Sequence, residues 1–151
     1  TELLSPQASR WVKDHLKNVM SLKGELIHLR EVKAGQTVSY NGKWKAQRNS
    51  VIGVIACGYG DGYRRSLSPQ ARVQIGNQLV PVVGNICMDY FMVDLTDLNS
   101  VSLPRVGDLV LLLGGSFDSG VTSVDWAHRL NTLSYEVMTG ITSRVPRLEV
   151  D

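Results

Sequence analysis

The sequence predicts a mostly β fold: a barrel-like β domain with a short helix at its N-terminus and one or two short helices near its C-terminus. Three observations carry this. Short apolar runs with strand character follow one another from about residue 21 to residue 115, bounded by glycine, proline and asparagine. Gly76-Asn77 separates two of them, a two-residue hairpin signal. Helical spacing is confined to the two ends of the chain. Together these favour a closed, barrel-like arrangement of strands.

Each element has its own reason. Ser5-Pro6 pairs a cap with a first-turn proline, so "SPQASRWVKDHL" is predicted as a short helix to about Leu16. "SLKGELIHLREV", residues 21–32, alternates partially and is predicted as a strand. "AGQTVSYNG" carries a short strand ending in a turn at Asn41-Gly42. "SVIGVIACG", residues 50–58, is apolar throughout, the mark of a strand buried on both faces. "ARVQI" and "QLVPVVG" form the hairpin around Gly76-Asn77. "NICMDYFMVDL", residues 85–95, is read as a further core strand, and "VGDLVLLLGG" as another. Val124, Ala127 and Leu130 fall on one helical face behind a cap at Ser123. "SYEVMTGI" is predicted as a second short helix or turn, and "SRVPRLEV", residues 143–150, as a last strand.

With 151 residues, the chain is long enough for one domain with a real core. Its 43% hydrophobic and 20% charged residues are those of an ordinary globular protein. A net charge of +2, with Lys and Arg scattered, gives no support to nucleic-acid binding. The apolar runs are too short for a membrane span, and the polar opening has no signal-peptide pattern, so a cytoplasmic location is expected. The chain opens without methionine and is read as a domain from a longer parent. Cys57 and Cys87 sit inside apolar runs and are read as two buried free thiols. His15, His28 and His128 lack ligand spacing, so no metal site is expected.

"GYGDG", residues 58–62, closes the central strand and poses the sharpest question. A dinucleotide fingerprint needs G-x-G-x-x-G opening a helix, but the spacing here is G-x-G-x-G and "YRRSLSPQ", with Pro69, makes a poor helix. A Gly-Lys-Ser/Thr ending is absent as well. What remains is a glycine turn, or a turn whose close backbone approach presents Tyr59 or Asp61 to a ligand. Tyr40, just before a turn, reads by itself as a tyrosine ending a strand with its hydroxyl in water. A phenol with an ordinary pKa near 10 is a feeble base unless its surroundings lower that value.

Several segments taken together resemble one family. "VMSLKGELIHLREVKAGQTVSYNGKW", "IACGYGDGYRR", "VPVVGNICMDYFMVDLTD", "GDLVLLLG" and "NTLSYEVMTGITSRVPR" occur in this order and are similar to the C-terminal β domain of alanine racemases. The likeness implies a junction over residues 1–18 and the β domain over 19–151. It implies a preceding (β/α)8 barrel, absent here, whose lysine carries pyridoxal 5′-phosphate. It also implies interconversion of L- and D-alanine for peptidoglycan precursors, inside a head-to-tail homodimer, with this chain inactive alone. By the same likeness Tyr40 is the catalytic base that takes the α-proton of L-alanine, while the barrel lysine works on the opposite face. Tyr59 lines the narrow entrance beside the substrate. Met88 offers its backbone N–H to the substrate carboxylate. Tyr135 holds the cofactor phosphate. Arg65 and position 85 belong to the corridor by which substrate enters. Asn85 departs from the arginine many members carry there. Tyr40, Tyr59 and Met88 would face the cofactor of the other subunit, and Tyr135 its own.

Two rival readings stand beside this one. A serine or broad-specificity amino-acid racemase shares the fold, but a bulky Tyr135 near the site leaves little room for a larger side chain. A non-catalytic β-barrel binding module would have no reason to hold Tyr40, Met88 and Tyr135 near one another at an exposed face. The related decarboxylases favour a C-D-x-x-D-type motif that this sequence lacks.

Overall fold

The computed structural model describes residues 5–68, 70–98 and 103–149. The first four residues of the expected junction, Pro69 and the last two residues of the chain lie outside them. The sequence folds as α1 (Pro6–His15), β1 (Leu22–Val32), β2 (Thr37–Val38), β3 (Trp44–Lys45), β4 (Ser50–Ala56), β5 (Arg72–Ile75), β6 (Gln78–Val83), β7 (Phe91–Asp94), β8 (Leu109–Leu113), α2 (Ser123–Leu130) and α3 (Ser134–Thr139). Six strands close an antiparallel barrel in the order β1-β4-β7-β6-β5-β8. The hairpin β2–β3 stands apart as a two-stranded sheet.

The partial alternation of β1 has a physical cause. Its pairing with β4 shifts between Leu26 and His28, a bulge that leaves Ile27 without a partner on β4. Before the bulge Leu22 and Leu26 point into the barrel; at its far end Val32 joins a different cluster. The barrel interior is filled by Leu26, Ile55, Val73, Phe91, Val93 and Leu112, among others. A second, smaller core lies outside the wall, where Val38 and Ala46 of the β2–β3 hairpin pack on Val32, Ile52, Val83 and Met92. This is why β4 reads as apolar on both faces: Ile55 faces inward and Ile52 faces the hairpin.

Helices α2 and α3 pack on each other and anchor to the barrel core. Trp126 of α2 meets Tyr63 edge-on with ring centroids 4.9 Å apart, and Tyr63 stacks on Phe91 at 4.5 Å. The cap of α2 is Thr122 rather than the predicted Ser123. Its hydroxyl accepts from the Asp125 N–H while the Asp125 carboxylate accepts from the Thr122 N–H, a reciprocal pair that Ser123 has no acid to complete. At α1 the Ser5 hydroxyl accepts from the Ala8 N–H, as the sequence signal required.

Two predicted strands change. The core strand expected over residues 85–95 is reduced to Phe91–Asp94, because residues 87–90 turn away to bond the glycine-rich segment after β4. The terminal strand expected over 143–150 does not form among the described residues. A closed barrel leaves no edge to extend, and Arg147 instead donates to the carbonyls of Ile141 and Val145.

Both cysteines are buried free thiols. Burial, helped by the Asp61 charge, pushes the Cys57 thiol up from 9.0 to about 12. Below about pH 9 the thiol is protonated in folded and unfolded chains alike; above it only the unfolded chain ionises, so stability is lost as pH rises towards about 12. Tyr63, pushed up by burial too, acts in the same direction at higher pH. Cys57→Ala is expected to make the alkaline fall of the urea midpoint shallower. An unchanged slope between about pH 9 and pH 11 would remove Cys57 from that titration.

Candidate active site

Tyr40 owes its position to the second core. Val38, buried under the hairpin, fixes the strand; Ser39 then takes φ +70° and the chain reverses through Asn41 and Gly42, both left-handed. The Ser39 hydroxyl donates to the Asn85 carbonyl (3.2 Å) and accepts from the Asn85 N–H (2.9 Å). The Asn85 side-chain amide donates to the Tyr40 carbonyl at 3.4 Å. Gly84 makes this docking feasible: it sits at φ +72°, and a Cβ there would lie 2.3 Å from the Ser39 Cβ. The Tyr40 backbone is thus held while its ring is 64% exposed.

The glycine turn after β4 is docked on the 87–90 turn. The Tyr59 N–H donates to the Cys87 carbonyl (3.0 Å) and the Gly60 N–H to the Met88 carbonyl (2.9 Å). A Cβ on Gly58 would come within 2.2 Å of the Met88 carbonyl oxygen, so the close approach itself demands glycine. The Asp61 carboxylate accepts from the Gly58 N–H at 2.9 Å and closes the turn from within. Arg144 then ties both turns together, 3.4 Å from Asp61 and 2.6 Å from Asp89. Asp61 is therefore a structural acid here, whereas Tyr59 projects outward, half-exposed.

The predicted site residues fall into one connected group with one neighbour. Tyr40, Asn85, Met88 and Tyr59 are joined through residues 84–90 as described. Met88 is half-exposed, and no acceptor among the described residues takes its backbone N–H. Arg65, exposed on the short helical turn Arg65–Leu67, acts on Cys87: burial pushes that thiol up, while the Tyr90 hydroxyl and the Arg65 charge pull it back. Tyr135, on α3, is 79% exposed and is not hydrogen-bonded to this group among the described residues. Its sequence neighbour Glu136 is hydrogen-bonded by Thr132 and pairs with Arg64 at 2.7 Å, contacts that in this order hold the Glu136 carboxyl below its usual range. Asn85, read from the resemblance as a corridor residue, is buried at 7% exposure behind the Tyr40 loop.

Sequence reasoning passed over Tyr90. Its hydroxyl lies 3.5 Å from that of Tyr40, and both rings line a cleft of about 420 Å³ with His28, Arg30, Cys87 and Met92. Hydrogen bonding to Tyr40, then the Tyr40 charge, pushes the Tyr90 phenol up to about 12. A larger cleft of about 630 Å³, lined by Lys17, Lys23 and Phe117 among others, lies beside the segment after α1 and contains none of these residues. Among the described residues no group of three or more His, Cys, Asp or Glu is gathered for a metal ion. No helix among them is long and apolar enough to cross a membrane.

The family model described as "Alanine racemase, C-terminal domain" matches residues 19–149. The chain belongs to the alanine racemase C-terminal domain family. Alanine racemase 1 of Clostridium acetobutylicum is 44% identical over 138 residues, covering 91% of this chain and 35% of the relative. The alanine racemase of D-cycloserine-producing Streptomyces lavendulae superposes with a TM-score of 0.84 at 31% identity, covering 97% of this chain and 37% of its own. That of Bartonella henselae, with covalently bound pyridoxal phosphate, gives 0.79 at 30% identity over 86% and 34% of the two chains. The alanine racemase domain described here thus spans about a third of the length of these relatives.

Proposed function

We propose that this domain supplies the tyrosine base and part of the substrate and cofactor contacts of a pyridoxal-phosphate-dependent alanine racemase, and that it racemises nothing alone. One observation carries the reading. Tyr40, Met88 and Tyr59 are bound through residues 84–90 into a single docked assembly, and all three stay exposed. A binding module has no need of that arrangement; a site completed by another domain does.

The residues fit the cofactor in one respect that concerns this chain. The Tyr135 phenol is exposed next to the Arg64–Glu136 pair and is available to donate to a phosphate oxygen. When bound, pyridoxal phosphate serves as the electron sink that makes the α-proton of alanine acidic. The residues of this chain do the rest of their share. The Tyr40 oxygen accepts that proton on the face of L-alanine and returns one to the same face in the reverse reaction. The Met88 N–H fixes the substrate carboxylate. Tyr59 narrows the entrance, and Tyr135 limits the room for side chains larger than that of alanine. Arg65 lies on the way in. The attachment lysine belongs to the preceding barrel domain, and the site is completed across a homodimer in the cytoplasm, where D-alanine feeds peptidoglycan precursors.

Formation of D-alanine from L-alanine by the full-length protein, followed with a coupled oxidase, tests the activity. Two variants test the roles. Tyr135→Phe deletes a hydroxyl bonded to a charged phosphate, a bond worth about 1.5–3 kcal/mol, so cofactor affinity is expected to fall about ten- to a hundredfold. Met88→Leu keeps the backbone donor and roughly the volume, so the KM for alanine should change little. Loss of alanine binding in the Met88 variant, with cofactor affinity intact in the Tyr135 variant, would contradict both assignments.

A further inference from the structure

We propose that Tyr90 is the positioning residue for the Tyr40 hydroxyl, donating its own phenolic proton to the Tyr40 oxygen and so favouring the form of Tyr40 that accepts a proton. This rests on the reading of Tyr40 as the base. The two hydroxyls are 3.5 Å apart, and among the described residues Tyr90 is the partner this chain gives the Tyr40 hydroxyl. Both phenols are tied to the same short segment: Tyr40 through its carbonyl to Asn85, Tyr90 through its carbonyl to the Cys87 N–H at 2.9 Å. The backbones that carry the two phenols are therefore both held by residues 85–90.

Either hydroxyl could donate across this contact, and the roles choose between them: Tyr40 is the oxygen that must take and release a proton, so Tyr90 is the donor. The Tyr90 phenol, pushed up to about 12 first by its hydrogen bond to Tyr40, keeps its proton in that role. The other groups on the cleft are His28 and Arg30 from β1 and the Cys87 thiol, with Arg65 acting on Cys87 from the turn after β4. None of these is hydrogen-bonded to the Tyr40 hydroxyl among the described residues.

The test uses the full-length racemase with Tyr90→Phe, Tyr40→Phe and the double variant. Tyr90→Phe keeps the half-exposed ring and removes the donor. Racemisation should slow about fivefold, the size of one ordinary hydrogen bond. The acid limb of the pH profile of kcat/KM should move upward, because a base that loses a donor to its charged form holds its proton to higher pH. In the Tyr40→Phe background the same change should have no further effect. An unchanged rate and acid limb overturns the proposal. An equal loss in the Tyr40→Phe background also overturns it, by marking a structural role. If Tyr40→Phe alone leaves the rate intact, the reading of Tyr40 as base has failed, and that outcome is separate from failure of the Tyr90 step.

Discussion

Tyr40→Phe in the full-length protein is expected to slow the proposed racemisation by about 10²–10⁴-fold, the usual cost of losing a positioned acid–base group. Because the enantiomers have equal energy, kcat/KM must fall equally in both directions. The fold should survive. The ring is exposed, the loop is held by the Ser39 hydroxyl and the Asn85 side-chain amide, and none of these bonds involves the Tyr40 hydroxyl. Cofactor affinity should persist as well, since the phosphate contact is assigned to Tyr135. Steady-state kinetics with a thermal melt and a cofactor titration check all three. A near-normal rate would show that another group is the base.

Gly58→Ala should be the most damaging small substitution in the site. The new methyl would meet the Met88 carbonyl oxygen at 2.2 Å and the Cys87 carbonyl oxygen at 2.4 Å, both backbone atoms that cannot swing aside. The turns would have to separate, breaking the Tyr59–Cys87 and Gly60–Met88 bonds. Two lost hydrogen bonds at about 1 kcal/mol each, with local strain of about 1–3 kcal/mol, predict a loss of about 3–5 kcal/mol. Urea unfolding measures it. The same variant should lose alanine turnover, because Tyr59 and the Met88 N–H are displaced together. Wild-type stability would mean that the two turns are not pressed together as described.

The strands were legible where hydrophobic pattern and turn chemistry agreed. Gly76-Asn77 and the runs beside it specify β5 and β6 without ambiguity, and the doubly apolar β4 announces a wall packed on both sides. Composition misled over residues 85–90. Ile86, Cys87 and Met88 look like strand interior, yet residues 87–90 form a turn docked on the glycine segment, a long-range contact that local pattern does not encode. The expected last strand failed for a related reason, since barrel closure is a property of the whole sheet. Of the site, Tyr40, Tyr59, Met88 and Tyr135 came from the family resemblance and not from spacing. The glycines gave a local hint, and the close contact of Gly58 with Met88 supplies its cause. Tyr90 carried no signal because it is 50 residues from Tyr40 and only the docking of the hairpin on residues 84–85 brings the two hydroxyls together. Arg144 and Asp89 were missed on the same ground, as an ion pair spanning 55 positions.

The central claim is that Tyr40 serves one face of the substrate. Exchange of the α-hydrogen in deuterated water, followed by proton NMR in the full-length Tyr40→Phe variant, tests it most directly. Exchange from L-alanine is expected to be nearly abolished while D-alanine still exchanges with retention, through the lysine assigned to the other face. Equal exchange from both enantiomers in that variant would contradict it.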